Sequence, residues 1–98
     1  MKFLIKYMPE AIEQIQTLSA TAYLEKRFKA VTKALKFLAE NPRHPGLQTH
    51  EITSQKGPAG EKIFEAYAEQ HTPGAYRIFF YYGSNKGEIV VFAVTPHP

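Results

Sequence analysis

Two side chains near the end of this chain could do chemistry together. Arg77 lies inside the apolar run YRIFFYY, and His97 closes the run GEIVVFAVTPH. A guanidinium inside an apolar strand is costly to bury without a partner. Arg77 is therefore either half of a structural ion pair or a group that receives an anion. A histidine exchanges protons near neutral pH. If both residues face one side of a sheet, they set a cation for a phosphate beside a proton carrier. A second basic feature is the cluster Lys26, Arg27, Lys29, Lys33 and Lys36. At helical spacing the four lysines share one face with Arg27 beside them, and no matching row of acids accompanies them. Such a face is either plainly solvated or a track for nucleic-acid phosphates. The histidines His44, His50, His71 and His97 match no metal-ligand spacing, and cysteine is absent. The glycines sit in turn-like segments and form no phosphate-binding loop. No metal and no cofactor are expected.

Composition sets bounds on these readings. The 98 residues make one domain, spanning 1–98, with a formal charge of +3. A chain without cysteine has no disulfide framework and no thiol chemistry, which suits a reducing compartment. The start, MKFLIKYMPE, is too short and too interrupted in its apolar run for a signal peptide. No apolar run reaches membrane-spanning length. The expectation is a cytoplasmic protein with no membrane partner.

The elements that must position these side chains follow from periodicity. Residues 2–8 read as a strand ended by Pro9, which suits the first turn of a helix. Met8, Ile12, Ile15 and Leu18 recur at helical spacing and predict a helix from Pro9 to about Ser19. Ser19 or Thr21 is the expected cap of a second helix. That helix carries Leu24, Phe28, Val31, Leu35 and Leu38 on one stripe and stops at Asn41-Pro42. The two form an antiparallel hairpin, whose apolar stripes need a sheet to cover them. Strands are predicted over 47–52, 62–69, 75–82 and 88–95, with a polar loop over 53–60 and a closing hairpin through GSNKG. The fold class is α+β: an N-terminal strand, a two-helix hairpin, then antiparallel strands in a twisted sheet. In the closing hairpin, Ile78, Phe80, Val90, Phe92 and Val94 are expected to face the helices. Phe79, Tyr81, Ile89, Val91 and Ala93 are then expected on the outer face with Arg77, Thr95 and His97, making it apolar enough for a groove or a partner surface.

This order of elements resembles the RelE/ParE superfamily of toxins from toxin–antitoxin pairs. The resemblance covers nearly the whole chain and rests on NPRHPGLQTHEI, KIFEAYAE, AYRIFF and GEIVVFAVTPH in sequence. It implies an antitoxin partner, and the apolar outer face allows a homodimer when that partner is missing. It also implies an activity: many members are mRNA interferases that cut messenger RNA on the ribosome and so inhibit translation. Others act on DNA gyrase. Arg77 matches an arginine that family nucleases carry in the fourth strand. His97 falls where YoeB-like members have a C-terminal histidine, and Glu65 where HigB-like members have a glutamate in the third strand. Two features depart from the pattern. The third strand offers Glu65, Tyr67 and Glu69 with no arginine, and the chain ends in His97-Pro98 rather than His-Tyr.

The implied reaction is metal-independent RNA cleavage. A base removes a proton from a 2′-hydroxyl, a cation stabilises the phosphorane, and an acid protonates the leaving 5′-oxygen. Glu65 or Glu51 is the candidate base, Arg77 the cation and His97 the acid. Lys26, Arg27, Lys29, Lys33 and Lys36 are the candidate RNA-binding residues, and Tyr67 and Tyr81 candidate base-stacking ones. A rival reading is a non-catalytic RelE-like protein that binds a partner protein, either a gyrase-type target or an antitoxin. A third is a general basic RNA-binding domain.

Overall fold

Pro9 opens the first helix of the computed structural model, which describes residues 2–97. Its locked φ and missing N–H suit that position. Strand β1, Leu4–Tyr7, leads into α1, Pro9–Ala20. Neither expected cap forms: the Ser19 and Thr21 hydroxyls donate back to the carbonyls of Gln16 and Thr17. Instead a single 3-10 turn, Ala22–Leu24, feeds α2, Glu25–Glu40. The expected stripe of α2 is present and is widened by Ala34 and Phe37.

Among the described residues five strands form one sheet in the order β1-β5-β4-β3-β2. They are β1 with β2 (His50–Lys56), β3 (Lys62–Tyr67), β4 (Tyr76–Tyr82) and β5 (Glu88–Pro96). β2 to β5 pair antiparallel, whereas β1 runs parallel to β5. The helical hairpin supplies the crossover that a parallel pair requires. The second strand starts later than the sequence pattern predicts and runs on through half of the expected loop. Pro45–Leu47 forms a 3-10 turn, and Gln48 takes a left-handed conformation at φ 46°, so the chain extends only after it.

The two faces of the closing hairpin differ from the simple alternation. Phe79 is opposite Ala93 but Phe80 is opposite Val91, which leaves Phe92 as the extra residue of a β-bulge. The parity of β5 reverses there. Ile89, Val91 and Val94 join Ile78 and Phe80 in the core under the helices, with Leu18, Val31 and Leu38. Phe92 lies with Phe79 and Tyr81, its ring centroid 6.2 and 6.0 Å from theirs. The expected assignment of Ile89 and Val91 to the outer face, and of Val90 and Phe92 to the helix face, is therefore corrected. α1 is tied to the segment past the bulge, where the Gln14 side-chain oxygen accepts from the Val94 N–H at 2.6 Å.

At the far edge, Lys6 on β1 meets Glu88 on β5 at 2.9 Å. Hydrogen bonds from Lys6 first, then Asn85, hold the Glu88 carboxyl below its ordinary value. The folded state therefore binds fewer protons than the unfolded chain in acid, so this contribution is present above the ordinary carboxylate pKa. It is lost as pH falls through the lowered one. Lys6→Met is expected to flatten the acid side of the stability–pH curve, read by urea unfolding between neutral and acidic pH. An acid limb unchanged from wild type would show that the pair carries none of it.

Candidate active site

The strand register decides which side chains meet. Tyr67 on β3 is opposite Arg77 on β4, Glu65 is opposite Phe79, and His50 on β2 is opposite Glu65. Residues two apart on a strand share a face. Thus His50, Glu65, Tyr67 and Arg77 gather on the side of the sheet away from the helices.

Their geometry is specific. Arg77 Nη1 donates to Glu65 Oε2 at 3.3 Å, and the Arg77 guanidinium carbon lies 3.7 Å from the centre of the Tyr67 ring. His50 Nε2 is 2.8 Å from Glu65 Oε1, and His50 Nδ1 is 3.1 Å from the Gln48 carbonyl oxygen. The His50 ring meets Tyr67 edge-on at 5.7 Å. The Glu65 and Arg77 side chains are only 11% and 13% exposed, while His50 is 44% exposed. Both carboxylate oxygens of Glu65 are engaged. Among the described residues only Nη1 of Arg77 has a hydrogen-bond partner, and Nε is buried with none. An arginine offers five N–H donors in a planar fork that matches the oxygens of a phosphate. Most of that capacity is unused.

The structure brings together Glu65 and Arg77 of the sequence-derived set and adds His50, which sequence reading considered only as a metal ligand. The signal for His50 was present in the alternation of His50 and Ile52 against Ile63 and Glu65. The interrupted register between Ile52 and Lys56 hides that pairing from the sequence. His97 is held by its backbone, since its N–H donates to the Ala75 carbonyl at 2.8 Å and extends the β4–β5 ladder past Pro96. Strand alternation sets it on the side of Thr95, which is directly opposite Arg77. Glu51, the other candidate base, is opposite Phe64 and lies on the other side of the sheet. Among the described residues no cluster of three or more histidine, aspartate or glutamate side chains is placed to hold a metal. No helix among them is long and apolar enough to cross a membrane.

A chain of the crystal structure of the archaeal RelE–RelB complex from Pyrococcus horikoshii OT3 superimposes on this one with a TM-score of 0.65. The match covers 98% of this chain and 96% of that one at 13% identity. The chain has the RelE fold. No protein-family profile matches the sequence, and no curated protein matches it.

On this RelE fold the basic helix face divides into two parts. Lys26, Lys29, Lys33 and Lys36 are all exposed. Lys29 reaches Glu25 at 3.4 Å, and Lys33 lies 5.6 Å from the centre of the Phe37 ring. Arg27 does not belong with them. Position 27 is one turn from Leu24 and Val31 and so borders the apolar stripe. Its guanidinium bonds Glu69 at 2.9 Å and the carbonyls of Gly74 and Pro73 at 3.3 Å each. Glu69 also accepts from the Tyr76 N–H at 3.1 Å. Arg27 is thus a strut between α2 and the β3–β4 turn, which corrects its assignment to an RNA-binding face. Arg27→Ala is expected to cost about 1–3 kcal/mol in urea unfolding, because three acceptors lose a charged donor. Lys26→Ala, one residue away and exposed, is expected within about 0.5 kcal/mol of wild type. Equal losses in the two variants would remove the strut.

Proposed function

We propose that this protein is the toxin of a toxin–antitoxin pair and a metal-independent endoribonuclease that cuts messenger RNA at the ribosome. The observation that carries the reading is the half-used Arg77. One donor is spent on Glu65, Nε has no partner among the described residues, and the group lies beside a half-exposed histidine on the sheet face away from the helices. The likeness of fold to a chain of a RelE–RelB complex supports the toxin assignment and an antitoxin partner.

The roles we propose differ from those the resemblance implies. Glu65 spends both oxygens on His50 and Arg77, so it acts as a positioning group rather than the base. His50 faces an oxygen at each ring nitrogen, the Glu65 carboxylate at Nε2 and the Gln48 carbonyl at Nδ1. In the proposed reaction the exposed ring turns from Glu65 and gives the Nε2 proton to the leaving 5′-oxygen. His97, across from Ala75 on the next strand, receives the proton of the attacking 2′-hydroxyl. The 2′-oxygen bonds to phosphorus, the bond from phosphorus to the 5′-oxygen breaks, and a 2′,3′-cyclic phosphate and a 5′-hydroxyl result. Arg77 neutralises the charge that builds on the phosphorane.

The test is expression in a bacterial host followed by cleavage of ribosome-bound message in vitro with EDTA present. Growth arrest with cut messages, lost in Arg77→Lys, is expected, since lysine keeps the charge but not the fork. The near-complete burial of the Arg77–Glu65 pair favours a second, non-catalytic reading with a protein target. Arrest with intact messages and DNA damage would establish that one.

The lysine face bears on RNA binding. Lys29→Glu with Lys33→Glu is expected to weaken ribosome or RNA binding and flatten its salt dependence. Binding that stays unchanged from low to high salt would exclude a phosphate track.

A further inference from the structure

A cavity of about 360 Å³ lies against the edge strand β2, walled by the segment 43–49 and floored by Phe64 and Tyr82. That volume is within the range of about 300–1,000 Å³ usual for small-ligand sites. The ring centroids of the two floor aromatics are 5.5 Å apart, and Phe64 also stacks on the fully buried Phe80 at 5.6 Å, so the floor is anchored in the core. The wall is equally fixed. Asn41 accepts from the Arg43 N–H, Thr49 donates to the Pro42 carbonyl at 2.7 Å, and the Gln70 side chain donates to the Gly46 carbonyl at 2.9 Å. The site therefore exists before any ligand arrives.

Its charged side chains differ in sign. Arg43 at the mouth is exposed, and its guanidinium has no partner among the described residues. Glu51 is half-buried in the wall, makes no side-chain hydrogen bond among the described residues, and has Lys56 at 4.0 Å. His50 lines the same cavity while holding Glu65 on the far side of the sheet, which it can do because β2 is the edge strand. The lysine face also leads here: Lys33 lies over Phe37, and Phe37 stacks on His44 at 4.2 Å in the cavity wall.

We infer that this cavity holds a guanine base of single-stranded RNA, stacked on the aromatic floor, with Glu51 reading its Watson–Crick edge and Arg43 taking an adjoining phosphate. Single-stranded bases are recognised by stacking on aromatic rings and hydrogen bonding at that edge. A carboxylate is acceptor-only. Guanine presents two donors side by side, N1–H and N2–H, and matches it. Adenine sets an acceptor beside its one donor and points a lone pair at the carboxylate. This inference deepens the proposed nuclease reading and rests on it for the identity of the polymer. It also gives the cut a sequence preference, because His50 joins the base pocket to the Glu65–Arg77 group.

The test titrates isotope-labelled protein with guanosine 5′-monophosphate, adenosine 5′-monophosphate and inorganic phosphate, following amide shifts by NMR. Guanosine monophosphate is expected to shift residues 43–51 and Phe64, and to bind about tenfold more tightly than the adenosine nucleotide, the lower end for one bidentate base contact. Glu51→Gln is expected to abolish that preference, and Arg43→Ala to weaken both nucleotides alike. Equal binding of the two nucleotides, shifts confined to another surface, or shifts reproduced by inorganic phosphate alone would overturn the inference. The readout is separate from cleavage. A protein that binds guanosine monophosphate here but cuts no RNA keeps the pocket and loses the nuclease. One that cuts RNA at the same positions after Glu51→Gln keeps the nuclease and loses the pocket.

Discussion

Glu65→Ala is expected to destabilise the protein by about 3 kcal/mol, the lower end of the range for breaking a buried pair from one side, because a little solvent reaches both partners. The loss leaves the Arg77 guanidinium under Tyr67 with no counter-charge, in a site where its Nε already lacks a partner. It also frees His50. For a domain of this size each kcal/mol moves Tm by roughly 4–8 °C, so a fall of more than about 12 °C is expected in thermal unfolding. The pair is asymmetric. Removing Arg77 instead leaves Glu65 with His50 at 2.8 Å, so Arg77→Met is expected to cost clearly less than Glu65→Ala. Removing both charges, Glu65→Leu with Arg77→Met, is expected to recover most of the lost stability, since neither buried charge is then left alone. A Glu65→Ala variant within about 1 kcal/mol of wild type would mean that solvent screens the pair as it screens a surface one. A double variant no more stable than Glu65→Ala would mean that packing, and not charge, holds this face.

The sequence carries the architecture further than the site. Leu24, Phe28, Val31, Leu35 and Leu38 announce α2 because a helix is a local, periodic object. Pro9 and Asn41-Pro42 mark its neighbours for equally local reasons. The place of β1 beside β5 is not legible in the sequence, since that pairing spans most of the chain. Four face assignments in β5 fail because of one residue. Phe92 is an extra residue in β5, and no side-chain pattern distinguishes a bulged strand from a regular one when every position from Ile89 to Val94 is apolar. Arg77 stands out because a charge in an apolar strand is anomalous by itself. His50 does not, because its meaning lies in the pairing of β2 with β3, and the irregular register before Lys56 conceals it. Arg27 misleads in the opposite way. It sits in a basic run, yet its position one turn from Leu24 and Val31 turns it toward Glu69. Charge runs show composition; which member of a run is a strut depends on the angle around the helix.

His50→Ala is expected to reduce RNA cleavage by about 10²–10⁴-fold, the usual weight of one positioned proton carrier. The change in stability is expected to be under about 1 kcal/mol, because the ring is nearly half exposed and Glu65 keeps Arg77 as a partner. These two readouts separate a proton carrier from a strut, and the same protein supplies the contrast: Glu65→Ala lowers both stability and activity, His50→Ala activity alone. His50→Gln sharpens the distinction. Glutamine can still donate to Glu65 and hold its position, but it cannot pass a proton, so it is expected to keep Tm and leave cleavage as low as alanine does. Recovery of cleavage in His50→Gln would make His50 a positioning residue and put the proton donor elsewhere. Cleavage near wild type in both variants would remove His50 from the chemistry. With Glu65 spending both oxygens on its neighbours, the proton donor would then have to lie outside this face of β2 and β3.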